Sequence, residues 1–504
     1  MIGRRDLLAS VGAAAGLAMA GTWPRAAAAG MPDHAALAAE AERLSRAPHR
    51  PTAMPLRGPF AGLDYDSHRA IRPRPGRGAA IALSETLRAD LLPPGFLLDD
   101  RVEVHLDGAR QPFAAELFEF DARYFDNPTL RPEDAAAMGF AGLRLRAPLN
   151  RPDVFDDLVV FQGASYFRAL ARGGAYGLSA RGLALGVGGA EEFPVFTALH
   201  AAAEGDGARV RALMESPSVT GALSFLVRPG APTVMEVDAS LFPRVPLEGV
   251  GIAPLTSMYW FGSMRRGISD DYRPAVHDSD ALVILNGAGE RVWRPLANPA
   301  RVQVSAFADD GPRGFGLVQS RTDFDDFDDP EAAYHRRPSV WVEPLGDWGP
   351  GAVVLVEIPT RDEFMDNIVA FWRPATPPGP GRHDLRYRLH WGDIPAPRTE
   401  MPVVAGAGGR HILDPEALTF TVDFAGHAPD AIADLRVDGA EARGVAVFAV
   451  PEARGGAGTT RVSFHLTPGA SDVAEVRLVL RDGDGRARSD TWLYRWTRAA
   501  DGGL

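Results

Sequence analysis

The chain reads as an all-β protein, a large many-stranded β-sandwich domain followed by a smaller immunoglobulin-like β-sandwich domain. Three observations lead there. Short runs of alternating apolar and polar residues, bounded by Gly, Pro or Asp, recur from about residue 100 onward. The helices of about 10–15 residues that a parallel α/β fold places between strands are missing from the pattern. After residue 417 a second, closely spaced set of strand-like runs begins, at the density of an immunoglobulin-like sandwich.

Taken in order, the N-terminus carries Arg4-Arg5, a mildly apolar run from Val11 to Gly21, and the small residues Ala26 to Ala29. That is the layout of a twin-arginine export signal over residues 1–29, and it places the mature protein in the periplasm. The apolar run is far short of the roughly 20 residues that span a bilayer. PDHAALAAEAERLSR (32–46) has helical periodicity without Gly and predicts one helix. LDYDSHRAIRPRPG (63–76) reads as strand and turn. Strands are then expected in GFAGLRLRAPLN, DLVVFQGASYF, GALSFLVRPG, PTVMEVDASLF, RVQVSAFA, GFGLVQSR, SVWVEPLG, AVVLVEIP, NIVAFWRP and DLRYRLHWG. ALHAAAEG and DPEAAYHRR are the short helix candidates. The first β domain is expected over 30–394. A Pro/Gly-rich connector follows over 395–417, and the second domain covers 418–504, with LTFTVDFAG, IADLRVDG, GVAVFAV, TTRVSFHL, EVRLVLRDG and TWLYRWTR as its strands.

Composition removes several classes of function. At 504 residues and 46% hydrophobic the chain builds large cores. A formal charge of −12 without a basic stripe argues against nucleic acid and anionic membranes, and suits a neutral ligand. There is no Cys, so thiol nucleophiles, disulfides and Cys-ligated metals are excluded. There is no Lys, so Schiff-base chemistry is excluded; codon bias accounts for an Arg-only set of cations that accompanies abundant Ala, Gly and Pro. No GxSxG, HExxH or P-loop is present.

The densest polar cluster is VHDSD, His277, Asp278 and Asp280 in five residues between aromatic-rich runs. One such segment supplies too few ligands for a metal. TDFDDFDDPE (322–331) lacks the spacing of a calcium loop and is expected as a solvated acidic loop. The remaining chemical resource is carboxylates beside aromatic or Arg residues, and Asp366, just ahead of the apolar run NIVAFW, stands out as a loop-end carboxylate. Tyr334, Trp341, Trp348 and Trp372 are candidates for the wall of a sugar groove, with a place in the core as the alternative.

The run GIAPLTSMYWFG…YRPAVHDSDALVILNGAGERVWRPLANP resembles the periplasmic glucan biosynthesis proteins, the OpgG/OpgD (MdoG) family. So do LDYDSHRAIR, LVVFQGASYFRAL, YGLSARGLAL, EEFPVF, RRPSVWVEPLGDWG and DNIVAFWRP, in order across nearly the whole chain. The twin-arginine signal makes it more similar to the OpgD branch. The resemblance implies two β domains, a cleft in the larger one, and a role in osmoregulated periplasmic glucans with a β-1,2-linked glucose backbone. It further implies an inverting endo-β-1,2-glucanase whose essential carboxylates match Asp278 and Asp366, with Tyr334 as the Tyr of a YxxRPS motif. Inverting hydrolysis needs one protonated carboxyl and one carboxylate with room for water between them. The apolar flank favours Asp366 as the acid, and the polar flank favours Asp278 as the base. Tyr334, Trp341, Arg181, Tyr166, His277 and Asp280 are expected to bind substrate. No cofactor or metal is implied. The implied partners are β-1,2-linked glucan, a membrane glucan synthase and a second copy of the chain. A non-catalytic glucan-binding scaffold and a β-1,2-glucan transglycosylase are the rival readings.

Overall fold

A computed structural model describes residues 30–264, 270–450 and 458–501. The expected export signal lies outside the described residues. The chain is all-β, built from several sheets with few and short helices. It packs as two compact units. Of the described residues, one unit holds 30–254 with Pro344–Trp348 and Trp372–Asp393; the other holds those within Leu255–Glu343, Gly349–Phe371 and 394–501.

In the first unit the helix His34–Ser45 forms where the periodicity places it. Asp33 caps it, accepting from the backbone N of Ala36 at 2.8 Å, and Leu37, Ala38 and Ala41 settle on Ala222 and Phe242. The strands Glu103–Leu106, Val195–Glu204, Gly207–Glu215, Val219–Arg228, Thr233–Pro243 and His383–Gly392 follow one another across one sheet. Arg88–Leu92, Gly142–Ala147, Asp156–Gln162 and Tyr166–Ala169 follow one another in a second. Phe161 and Phe167 of the second sheet meet Phe225 of the first at ring distances of 5.1 and 5.0 Å, which marks the core between the layers.

Two local expectations give way in this unit. ALHAAAE is not a helix but most of the strand Val195–Glu204. It pairs antiparallel with Gly207–Glu215 on one edge and parallel with Glu103–Leu106 on the other, and two ladders outweigh the helix preference of Ala. In LDYDSHRAIR the residues Tyr65–Arg69 form a short helix, because Asp64 and Ser67 complete a reciprocal cap before the strand Ile71–Pro73 begins.

The second unit joins stretches that are far apart in sequence. Ile432–Asp438, Val473–Arg481, Thr491–Thr497, Arg291–Pro295, Ala281–Leu285 and Gly314–Val318 lie in that order in one sheet. The join between central and C-terminal segments is parallel, Val292 against Thr491 and Trp293 against Trp492. Val403–Arg410, Leu418–Ala425, Thr459–Thr467 and Glu441–Val450 form a four-stranded sheet. Trp293, Trp341, Phe420, Phe464, Trp492 and Trp496 share one core. Residues 395–417, expected as a connector, therefore contribute the strand Val403–Arg410, and residues after 417 share a sheet and a core with the central segment. DPEAAYHRR supplies only the short 3-10 turn Tyr334–Arg336.

Candidate active site

The polar cluster sits in the second unit on a two-residue strand, Val276–His277, paired antiparallel with Tyr259–Phe261. Tyr259 lies opposite His277, and the backbone N of Asp278 donates to Met258 O at 2.9 Å. Asp278 is thereby held at the end of a short ladder. Its side chain is fully buried and ion-paired with Arg337. The Arg337 guanidinium also donates to Ala332 O, at 3.1 Å from Nη2, and lies over the Tyr334 ring at 4.0 Å from the centroid. A buried carboxylate needs such a partner, since an uncompensated charge there is costly.

From Tyr334 the network continues. The Tyr334 hydroxyl donates to Glu363 at 2.5 Å. Burial pushes this phenol well above its ordinary value, against the pull of Arg337, so it stays a neutral donor. Glu363 also accepts from Arg273 at 2.9 Å, and Arg273 bridges to Asp329 and Asp271, each at 2.8 Å. The acidic stretch expected as a solvated loop is thus partly structural. Asp329 is buried, and its carboxylate accepts from the backbone N of Glu331 and of Ala332 at 3.0 and 2.8 Å. Burial raises its pKa, but the bonds from Ala332 and Arg273 outweigh that and leave it below the ordinary value.

Asp366 stands at the end of the Glu363 loop and is partly exposed. Its neighbour Asn367 is fully buried and clamps that loop to the polar cluster. Asn367 Oδ1 accepts from Tyr259 N at 2.8 Å, and its Nδ2 donates to Tyr259 O at 2.9 Å and to Ile358 O at 3.0 Å. One backbone position, Tyr259, is therefore tied to both segments: to His277–Asp278 by strand pairing, and to Asp366–Asn367 by a side-chain clamp. The fold brings together two stretches separated by nearly 90 residues of chain.

The other predicted site residues divide. His277 is buried, stacked on Tyr259 at 5.4 Å and edge-on to Phe327 at 5.1 Å. Burial pulls its pKa down to about 4, so the ring is neutral near pH 7. Asp280 is partly exposed and accepts from the backbone N of Ser320 at 2.9 Å and from the Ser320 hydroxyl. Trp341 is a core ring and not a groove wall. It is 2% exposed, and Gly314 and Gly316 make room for its indole: a Cβ on Gly314 would stand 2.3 Å from the ring. Trp372 is buried as well. Arg181 and Tyr166 belong to the first unit. There the Arg181 guanidinium lies 4.5 Å over the Tyr166 ring and pairs with Glu191. Arg337, Glu363 and Arg273 were not singled out from the sequence. Arg337 was within reach, as the Arg of the YxxRPS motif; Glu363 and Arg273 carry no local signal. Among the described residues no group of three or more His, Asp or Glu is placed to hold a metal ion.

The chain matches the family model described as "Periplasmic glucan biosynthesis protein, MdoG" over residues 33–496. It belongs to that family. Relatives include "Glucans biosynthesis protein G" of Vibrio cholerae, 42% identical over 490 residues, with 91% of this chain and 85% of the relative covered. The protein of the same name from Rhodopseudomonas palustris is 42% identical over 481 residues, covering 91% and 92%. "Glucans biosynthesis protein G 1" of Shewanella oneidensis is 42% identical over 474 residues, covering 91% and 85%. These MdoG relatives carry the G name, whereas the likeness to the OpgD branch rests on residues 1–29, outside the described residues. Among the described residues no helix is long and apolar enough to cross a membrane.

Proposed function

We propose that this MdoG-family chain acts in the periplasm on β-1,2-linked glucan, as an inverting endo-glucanase with Asp366 as general acid and Asp278 as the base. The observation that carries the reading is the convergence on Tyr259 of the two segments that hold these carboxylates. Periplasmic location follows from the family description and the twin-arginine pattern of residues 1–29.

The two carboxylates sit in contrasting settings, as acid/base pairs do. Asp366 is partly exposed at a loop end, where a glycosidic oxygen can reach it. Asp278 is buried and paired with Arg337. That setting suits a proton acceptor at the far end of a relay through water or a sugar hydroxyl, better than a group touching the attacking water. Arg337, Tyr334 and Glu363 hold the acceptor in place. Within the second unit the partly exposed Asp280 is assigned to substrate contact, and the buried His277 supports it indirectly by packing on Tyr259. A membrane glucan synthase and a second copy of the chain are the proposed protein partners.

One observation favours a second reading. A carboxylate fully buried against an Arg also serves a purely structural role, which fits a glucan-binding scaffold. A gel assay of linear β-1,2-glucan with wild type, Asp366→Asn and Asp278→Asn separates the readings. Wild type should shorten the polymer and each variant should lose about 10²-fold or more in rate. Binding without shortening by wild type would establish the scaffold. Shortening retained in both variants would remove the site assignment. Altered product sizes without new reducing ends would establish a transglycosylase.

A further inference from the structure

Beside the polar cluster, and wholly within the second unit, lies a cavity of about 270 Å³. Its wall includes Arg321, Asp326, Ala407, Thr421, Asp423 and Arg461. It shares Ser263, Arg321, Ala405 and Gly406 with a narrow neck of about 20 Å³, room for about one water, that is also lined by Tyr259, His277 and Asp280. The neck therefore leads from the cavity to the residues flanking Asp278. Nothing in the carboxylate chemistry above uses this space.

Its chemistry selects a ligand class. Among the described residues the wall carries Arg321 and Arg461 against Asp325, Asp326 and Asp423, a formal charge of 2 − 3 = −1, which disfavours an anion. A bare cation finds little to bind either. Asp423 is held by Arg461 through two bonds of 2.6 and 2.7 Å, and Asp326 by Arg321 at 3.2 Å. Arg321 also donates to the Ser263 hydroxyl at 2.6 Å, and that hydroxyl donates to Gly406 O at 2.6 Å. The result is a dense set of donors and acceptors, fixed in position and nearly balanced in charge. Such a set matches a neutral polyhydroxylated ligand, whose hydroxyls each donate and accept. The floor is the strand segment Ala405–Gly406–Ala407, which lets a ligand approach the backbone. At about 270 Å³ the cavity is just below the ~300–1,000 Å³ range of drug-sized small-molecule sites.

We propose that this cavity is a second saccharide-binding site, a subsite for a neutral hexose unit of a glucan strand that also reaches the Asp278 and Asp366 segments. The proposal rests on the glucan reading above. It gives the C-terminal strands a function, since Val403–Arg410, Leu418–Ala425 and Thr459–Thr467 carry much of the wall. Among the described residues no aromatic ring lines it, so affinity depends on hydrogen bonds to charged groups, and binding depends on chain length.

The test is calorimetric titration of the full chain with linear β-1,2-gluco-oligosaccharides of graded length, comparing wild type with Ala407→Phe and Arg461→Ala. Ala407→Phe fills the cavity and leaves the Arg461–Asp423 pair intact, which guards against a folding defect in Arg461→Ala. Both variants should weaken binding of the long oligosaccharides by about tenfold, the scale of one lost hydrogen bond to a charged group, and leave the shortest ones unchanged. Unchanged affinity of Ala407→Phe at every length would overturn the proposal, whatever Arg461→Ala does. Binding of inorganic phosphate that the same variants abolish would also overturn it, in favour of an anion site. Length-dependent loss in a protein that never shortens glucan would uphold the subsite while the hydrolase reading falls. Shortening with unchanged affinities would do the reverse.

Discussion

Replacing Arg337 by Met tests whether the Asp278 pair anchors the polar cluster. In the folded chain the Asp278 side chain is fully buried and that of Arg337 is 14% exposed, so water screens the pair weakly. Arg337→Met keeps most of the side-chain volume but strands a carboxylate in the interior. Removing one partner of a buried pair costs about 3–5 kcal/mol. The lost cation–π contact with Tyr334 adds to this, so the upper half of that range is expected. Asp278→Asn strands Arg337 instead, which keeps its bonds to Ala332 O, so its cost should lie at the lower end. The double variant carries no stranded charge and should be more stable than the two single costs predict, by about 2–3 kcal/mol. Urea unfolding followed by tryptophan fluorescence gives all four stabilities. A cost below about 1 kcal/mol for Arg337→Met, or additive costs in the double variant, would refute the claim that the pair is a buried, energetically coupled unit.

Other outcomes follow from the same geometry. The folded pKa of His277 is pulled from 6.5 to about 4, so between those values the unfolded chain binds a proton that the folded chain does not. Stability attributable to His277 is therefore full above about pH 6.5 and falls as pH drops toward 4, by roughly 3 kcal/mol in all. His277→Phe, which keeps a ring against Tyr259, should flatten that part of the stability–pH curve; an unchanged slope in urea titrations from pH 7 to 4 would count against it. Asn367→Ala removes three bonds to Tyr259 and Ile358 backbone and should cost about 2–3 kcal/mol. On linear β-1,2-glucan it should lower kcat at least tenfold with little change in KM, because the clamp positions Asp366 rather than touching the sugar; a change confined to KM would contradict that role.

Period-two alternation in TVMEVDASLF and the short apolar run of GALSFLVRPG between turn residues are local properties, so the all-β class and most strands were readable from residue order alone. The helix 34–45 was readable because cap and periodicity lie in one stretch. VHDSD and the loop-end Asp366 stand out locally, but the pairing of Asp278 with Asp366 as an acid/base couple came from resemblance, since nothing in residue order links two positions so far apart. What residue order could not supply is register between distant segments. Ala198–Glu204 became strand because two neighbours claimed its backbone, and Val403–Arg410 became a strand because Leu418–Ala425 pairs with it. Residue order leaves Trp341 either in a groove wall or in the core, and the space that Gly314 and Gly316 leave for its indole decides for the core. Arg337 meets Asp278 across 59 residues and Tyr334 meets Glu363 across 29. Such partners depend on how strands cross in space, and Coulomb and hydrogen-bond terms at about 3 Å have no counterpart in spacing along the chain.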